Sequence, residues 1–137
     1  MFGTPTDPAK AYSSVSLETS IQNASPHKLI VLLFEGVREA IIVARAGIEK
    51  EDIQQKGMAI TKAIDIILNG LRASINLEEG GAIAQNLYAL YDYMSARLLH
   101  ASMHNDTGAL DEVLGLLSEI QEAWAGIGEG ADSAPKA

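Results

Sequence analysis

The chain has 137 residues, of which 47% are hydrophobic and 20% are charged, and its formal net charge at pH 7 is −8. These fractions are typical of one globular domain that is large enough to bury a core, and they exclude an intrinsically disordered chain. The negative charge argues against nucleic acid and anionic membranes as partners, and the absence of cysteine excludes disulfides and thiolate metal sites.

The first 25 residues are mostly small and polar, and they lack the basic region and apolar stretch of a secretion signal. No apolar run is long enough to cross a bilayer, so we expect a cytoplasmic protein without membrane insertion. Four side chains in this segment can be buried: Tyr12, Val15, Leu17 and Ile21. Because these are too few to form a core, we expect a short, partly mobile capping segment at 1–25.

The first helix is predicted to begin at Pro26. Ser25 is a suitable N-cap residue, and proline suits the first helical position. Apolar residues then recur at helical spacing, which predicts a helix of roughly 24 residues. The same criterion predicts helices over about residues 53–75, 82–104 and 107–127.

Turn signals separate these helices. Gly80 and Gly81 interrupt the pattern before the third helix, and Asp106 or Thr107 can cap the fourth. No stretch alternates with period two, so no strand is predicted. Four helices with short connections predict an all-α, antiparallel up-down-up-down bundle over 26–127, preceded by the capping segment and followed by a disordered tail at 128–137.

One apolar stripe on each helix is sufficient for such a bundle. Six residues on these stripes are expected in the core: Leu33, Ile64, Met94, Leu98, Leu117 and Trp124. The second and third helices each carry a further row of apolar residues on the opposite face, and the first helix adds two more. These rows comprise Val31, Ile42, Ala59, Ile66, Ala73, Ala96, Leu99 and Met103.

Two interpretations of these rows are open. Isolated apolar residues are common on protein surfaces and need no special role. Two neighbouring helices that share the feature favour an exposed apolar groove for a partner. The N-terminal segment or a second copy of the chain could also cover such a groove.

No constellation of catalytic residues is present. His100 and His104 lie four residues apart and can share a metal ion, but a third ligand and a general base are missing. We therefore expect no enzyme, no metal and no cofactor. A histidine phosphotransfer or other signalling bundle would rely on His27 beside Lys28, where the next two side chains crowd a phosphoryl group. A self-assembling structural bundle also stays open.

Five stretches, in order along the chain, resemble the flagellar secretion chaperone family, FliS. They are "AY" (11–12), "ASPHKLIVLLFEGV" (24–37), "INLEEGGAIAQNLYALYDYM" (75–94), "HASMHND" (100–106) and "LDEVLGLLSEIQEAW" (110–124). The family usually has Tyr-Asp where this chain has Phe34-Glu35, and both changes keep the chemical character of the side chain.

The resemblance implies an antiparallel helical bundle that binds the C-terminal segment of flagellin in the cytoplasm. It further implies that the chaperone prevents premature polymerisation and helps to deliver flagellin to the export gate of the flagellar type III apparatus. The second apolar rows would then bind flagellin, because a disordered segment with apolar repeats folds into such a surface. Tyr12 matches the N-terminal tyrosine of the family.

On this interpretation the capping segment covers the groove through Tyr12, Val15 and Ile21 until flagellin displaces it. Tyr12 would then be free to contact the export machinery. We expect a monomer or a weak dimer.

Overall fold

A computed structural model describes the backbone of residues 25–133 and the side chains up to residue 126, with the exception of residue 125. This part of the chain forms four helices and no strand, which confirms the all-α four-helix bundle. The helices are α1 (Pro26–Glu49), α2 (Ile53–Ile66, continued by turns at Ile67–Leu71 and Arg72–Ser74), α3 (Leu77–His104) and α4 (Thr107–Ser133). Residues 1–24 of the predicted capping segment (1–25) and the last residues of the predicted tail (134–137) lie outside the described residues.

The four helices close into a ring around one core. Helix α1 packs against α2 and α4, and α3 packs against the same two helices. The largest fully buried side chains come from all four: Phe34, Ile41, Ile67, Leu71, Met94, Leu98, Leu110 and Leu117. Three of the predicted core residues (Met94, Leu98 and Leu117) are fully buried, and Leu33, Ile64 and Trp124 are partly buried against the core.

Helix α1 begins and ends as predicted. The Ser25 hydroxyl accepts a hydrogen bond of 3.1 Å from the Lys28 N–H, and Pro26 occupies the first position. A serine cap satisfies one of the backbone donors that the first turn leaves free.

Helix α2 changes its winding near its C-terminal end. A π-helical turn at Ile67–Leu71 follows the α-helix, and a 3-10 turn at Arg72–Ser74 completes it. The predicted helix over 53–75 therefore has the right extent. Its wider turn contains Gly70, which packs so closely that an added Cβ would lie 3.2 Å from the Leu33 side chain.

Helix α3 begins earlier than predicted and bends at Gly81. The Asn76 side chain accepts hydrogen bonds from the Glu78 and Glu79 N–H groups, both at 3.1 Å, so residues 77–80 form a helical turn. The predicted interruption is present at Gly81, whose φ of 60° and ψ of −142° suit only glycine. Gly80 packs closely against the following turn, because a Cβ added there would clash with the Ala84 Cβ.

Helix α4 follows a tight turn. Asn105 has a left-handed backbone (φ 51°), and Asp106 caps the helix by accepting a 3.2 Å hydrogen bond from the Ala109 N–H. The helix continues to Ser133, beyond the predicted end at residue 127. Glycines at 126, 128 and 130 weaken a helix without breaking its hydrogen bonds. None of the described helices is both long enough and apolar enough to span a membrane.

Candidate binding site

A cavity of about 540 Å³ opens at the end of the bundle where α1 and α3 begin. The last turns of α2 form one wall, and Trp124 of α4 contributes to another. Most of its lining is apolar and includes Leu29, Ile30, Ile75, Ile83 and Leu87. A pocket of this size, apolar and open to solvent, is typical of a binding site.

The cavity was not predicted from the sequence. None of the eight residues of the predicted apolar rows lines it. A signal was present at the start of the third helix, because Ile83 is a large apolar residue that comes directly after the Gly80–Gly81 turn and is not on the predicted core stripe. Ile83 is 81% exposed and lies at the wall of the cavity.

His27 and Trp124 join the beginning of α1 to α4 beside the cavity. Their rings stack with 5.2 Å between centroids and 8° between planes. The indole N–H of Trp124 donates to the His27 carbonyl at 3.3 Å, and His27 Nε2 lies 3.2 Å from the Trp124 carbonyl. Because a carbonyl oxygen only accepts, Nε2 carries the proton. His27 is thus held by structural contacts.

The predicted second row on α3 does face outward. Ala96 is exposed, and the exposed fractions of Leu99 and Met103 are 53% and 69%. On α1, Ile42 is also largely exposed, whereas Val31 is half-buried.

The predicted second row on α2 packs largely inside the bundle, so its prediction as an outer seam is wrong. Ala59 is only 6% exposed and belongs to the core. Ile66 packs against α1, where a Cβ added at Gly36 would lie 3.2 Å from its Cδ1. Small residues at helical spacing allow two helices to approach closely. Here the helix that approaches α2 is α1. Ala73 alone of the three predicted α2 residues is exposed.

A second, smaller groove lies between α1 and α2. Its volume is about 350 Å³, and its apolar lining includes Val43 and Met58, both exposed. Gln55 crosses the groove and donates a 3.0 Å hydrogen bond to the Val43 carbonyl. Glu39 and Lys62 add charge to the lining.

A polar cluster joins α3 to α4 on the outside. Arg97 Nε lies 2.6 Å from the Glu112 carboxylate, which also accepts from the Tyr93 hydroxyl. These hydrogen bonds, that of Tyr93 first, lower the pKa of Glu112. His100 Nε2 lies 3.2 Å from Asp106, next to the ring of His104. Within residues 25–126, no three potential ligands are arranged to hold a metal ion.

Comparison with known proteins places this bundle in a family. The model of the family described as "Flagellar protein FliS" matches residues 8–131. The chain belongs to the FliS family. It is 52% identical over 118 residues to the flagellar secretion chaperone FliS of Salmonella typhimurium, covering 86% of this chain and 87% of the relative.

More distant members of the family are also recognisable. The flagellar secretion chaperone FliSB of Pseudomonas aeruginosa is 48% identical, with coverage of 86% of this chain and 93% of the relative. FliS of Bacillus subtilis is 33% identical over 107 residues, or 78% of each chain. The resemblance found in the sequence is thereby confirmed. This FliS-family chain is a flagellar secretion chaperone, a class of protein that is not a class of enzyme and that implies a flagellar protein as partner.

Proposed function

We propose that this FliS-family chaperone binds the C-terminal segment of flagellin in the cytoplasm, keeps it from polymerising and helps to deliver it to the flagellar export gate. The observation that carries the proposal is the open apolar cavity between the beginnings of α1 and α3. A chaperone for an unassembled subunit needs such a surface, because the segment it holds has apolar residues that must be kept from water.

The outward row on α3 extends the apolar surface available to a long client segment. Apolar area is exposed along successive turns of α3 by Ala96, Leu99 and Met103. Further apolar area is exposed by Ile42 on α1 and by Ala73 in the last turn of α2. We propose these residues as contacts of flagellin, with half-buried Val31 and Ile66 at the margins. Ala59 is left out because it is buried.

We also propose that residues 1–24 cover the cavity until flagellin arrives. Helix α1 begins at Pro26, which itself lines the cavity, so the segment is tethered at the edge of the cavity. Tyr12, Val15 and Ile21 would supply the apolar contacts, and displacement would release Tyr12 toward the export gate. Their positions lie outside the described residues.

A phosphotransfer role finds no support in the geometry of His27. Its Nε2 hydrogen is bonded to the Trp124 carbonyl, and its ring is stacked on the indole. A phosphoryl group at Nε2 would have to break this hydrogen bond.

Co-purification tests the proposed function directly. Tagged chaperone is expressed with the flagellin of the same organism, either complete or lacking its C-terminal segment. Complete flagellin is expected to co-purify with the chaperone, and truncated flagellin is expected to be lost. Equal recovery of both forms would contradict the proposed binding site on flagellin.

A further inference from the structure

The apolar cavity is lined by a tyrosine whose hydroxyl has no hydrogen-bond partner among the residues that the structure describes. Tyr91 lines the cavity and is only 2% exposed. No residue in the described part of the chain pairs with its hydroxyl, and burial alone raises its pKa to about 12. The other amphipathic rings nearby are paired, since Tyr93 donates to Glu112 and Trp124 donates to His27.

Tyr91 borders the open space of the cavity. Among the described residues, the one side-chain polar atom that is both sealed and unpaired is the Ser95 hydroxyl oxygen. The Tyr91 hydroxyl is not such an atom, and the open space beside Tyr91 is the cavity that it lines. With its raised pKa the phenol stays protonated at neutral pH and remains a hydrogen-bond donor.

An unpaired hydroxyl in an apolar pocket favours a ligand that pairs with it. Such a group is costly to leave unsatisfied, and pockets commonly use a few polar groups to orient an otherwise apolar ligand. The lining contains no Lys or Arg, and its one charged side chain is the acidic Glu79. A carboxylate would therefore enter without a counter-charge, whereas a neutral carbonyl oxygen needs none.

We propose that Tyr91 determines which segment the cavity accepts, by donating a hydrogen bond to a carbonyl oxygen of the client while apolar client side chains fill the remaining space. The oxygen belongs to a side-chain carboxamide or to the client backbone. This inference rests on the proposed function for the identity of the client. It adds that Tyr91 determines which part of the client enters the cavity.

The first test compares Tyr91→Phe with Tyr88→Phe by calorimetric titration with the C-terminal segment of flagellin. Tyr88 is the matched control, since it lies on the same helix under the Arg72 guanidinium and does not line the cavity. Tyr91→Phe is expected to weaken binding about fivefold to tenfold, the effect of one net hydrogen bond. Tyr88→Phe is expected to bind as the wild type does.

The thermal midpoint of the free protein distinguishes a selecting role from a structural one. An unpaired hydroxyl contributes nothing to the fold, so Tyr91→Phe should melt at or above the wild-type temperature. A lower midpoint, or wild-type affinity in Tyr91→Phe, would overturn the proposal.

Peptide variants identify the source of the oxygen. Each Asn and Gln of the flagellin segment is replaced by Ala in turn, and each peptide is titrated into wild-type and Tyr91→Phe protein. A single position at which the two proteins bind equally identifies a carboxamide. If the difference between the two proteins persists at every position, the oxygen is in the client backbone.

A small probe separates this inference from the proposed function. Isocaproamide combines a branched apolar chain with one carboxamide, and its binding is followed by NMR shifts of the backbone amides around the cavity. Wild-type protein is expected to bind it more tightly than Tyr91→Phe does. If flagellin does not bind but the probe still depends on Tyr91, the proposed function is wrong and the inference stands. Equal probe binding by both proteins would overturn the inference alone.

Discussion

Leu98 and Leu99 are neighbours in α3 with opposite environments. Leu98 is fully buried among the core side chains, whereas Leu99 is 53% exposed. Leu98→Ala removes buried methyl groups and leaves a cavity, so it should lower the free energy of unfolding by about 2–5 kcal/mol. Chemical denaturation measures this change. A loss of flagellin binding without a loss of stability would show that Leu98 is not a core residue.

The matched substitution Leu99→Asp tests the outward row. Because its side chain lies outside the core, the thermal midpoint should barely change, while flagellin affinity should fall by about 2 kcal/mol or more if Leu99 is a central anchor. Ile66→Asp is the contrasting variant, since Ile66 packs against α1 and its replacement should destabilise the fold. Wild-type flagellin affinity in Leu99→Asp would remove the α3 row from the proposed interface.

At the scale of the elements, the Gly80–Gly81 bend sets the wall of the cavity. Gly81 adopts a backbone conformation that is essentially restricted to glycine. Gly81→Ala should therefore lower stability by about 1–3 kcal/mol and favour a straight helix through residue 81. It should also weaken flagellin binding, because Gly80 and Ile83 would move out of the cavity wall.

Gly57→Ala is a control for this substitution, since Gly57 lies in α2 and an added Cβ meets nothing within 4 Å there. It should retain or slightly raise stability, because alanine is the better helix former. Thermal melts measure the stability of both variants, and titration measures their affinity for flagellin. Equal behaviour of Gly81→Ala and Gly57→Ala would contradict a role for the bend.

The sequence predicts the helices well and the site poorly, for a common physical reason. Periodicity and caps are local, so α1 begins at Pro26, α3 is interrupted at Gly81 and Asp106 caps α4 as expected. The helix that a row of small residues packs against is determined by the tertiary structure. The row that begins at Ala59 accordingly packs against α1, although its spacing equally suits an external partner.

The cavity depends on the same tertiary information. It is formed where the beginning of α1 and Trp124 meet the stretch that joins the end of α2 to the beginning of α3, and these three parts are distant along the chain. Only the assembled bundle reveals that Tyr91 lines the cavity with a hydroxyl that has no partner among the described residues. The family resemblance indicates the function without locating this cavity.

At the scale of the whole molecule, residues 1–24 are expected to control access to the cavity. An exposed apolar cavity promotes aggregation of the free chaperone. A tethered segment that enters the bundle at Ser25 has an effective concentration in the millimolar range, so weak contacts are enough to cover the opening. Flagellin must then displace this segment in order to bind.

Deleting residues 1–20 should therefore tighten flagellin binding, because an internal competitor is removed. The free truncated protein should aggregate more readily, since its cavity is uncovered. Export of flagellin should nevertheless fall, because Tyr12 is lost with the segment. Titration, light scattering and a secretion assay measure the three effects, and Tyr12→Ala in the complete chain separates loss of the tyrosine from loss of the competitor. Unchanged affinity together with unchanged aggregation in the truncated protein would show that the segment does not cover the cavity.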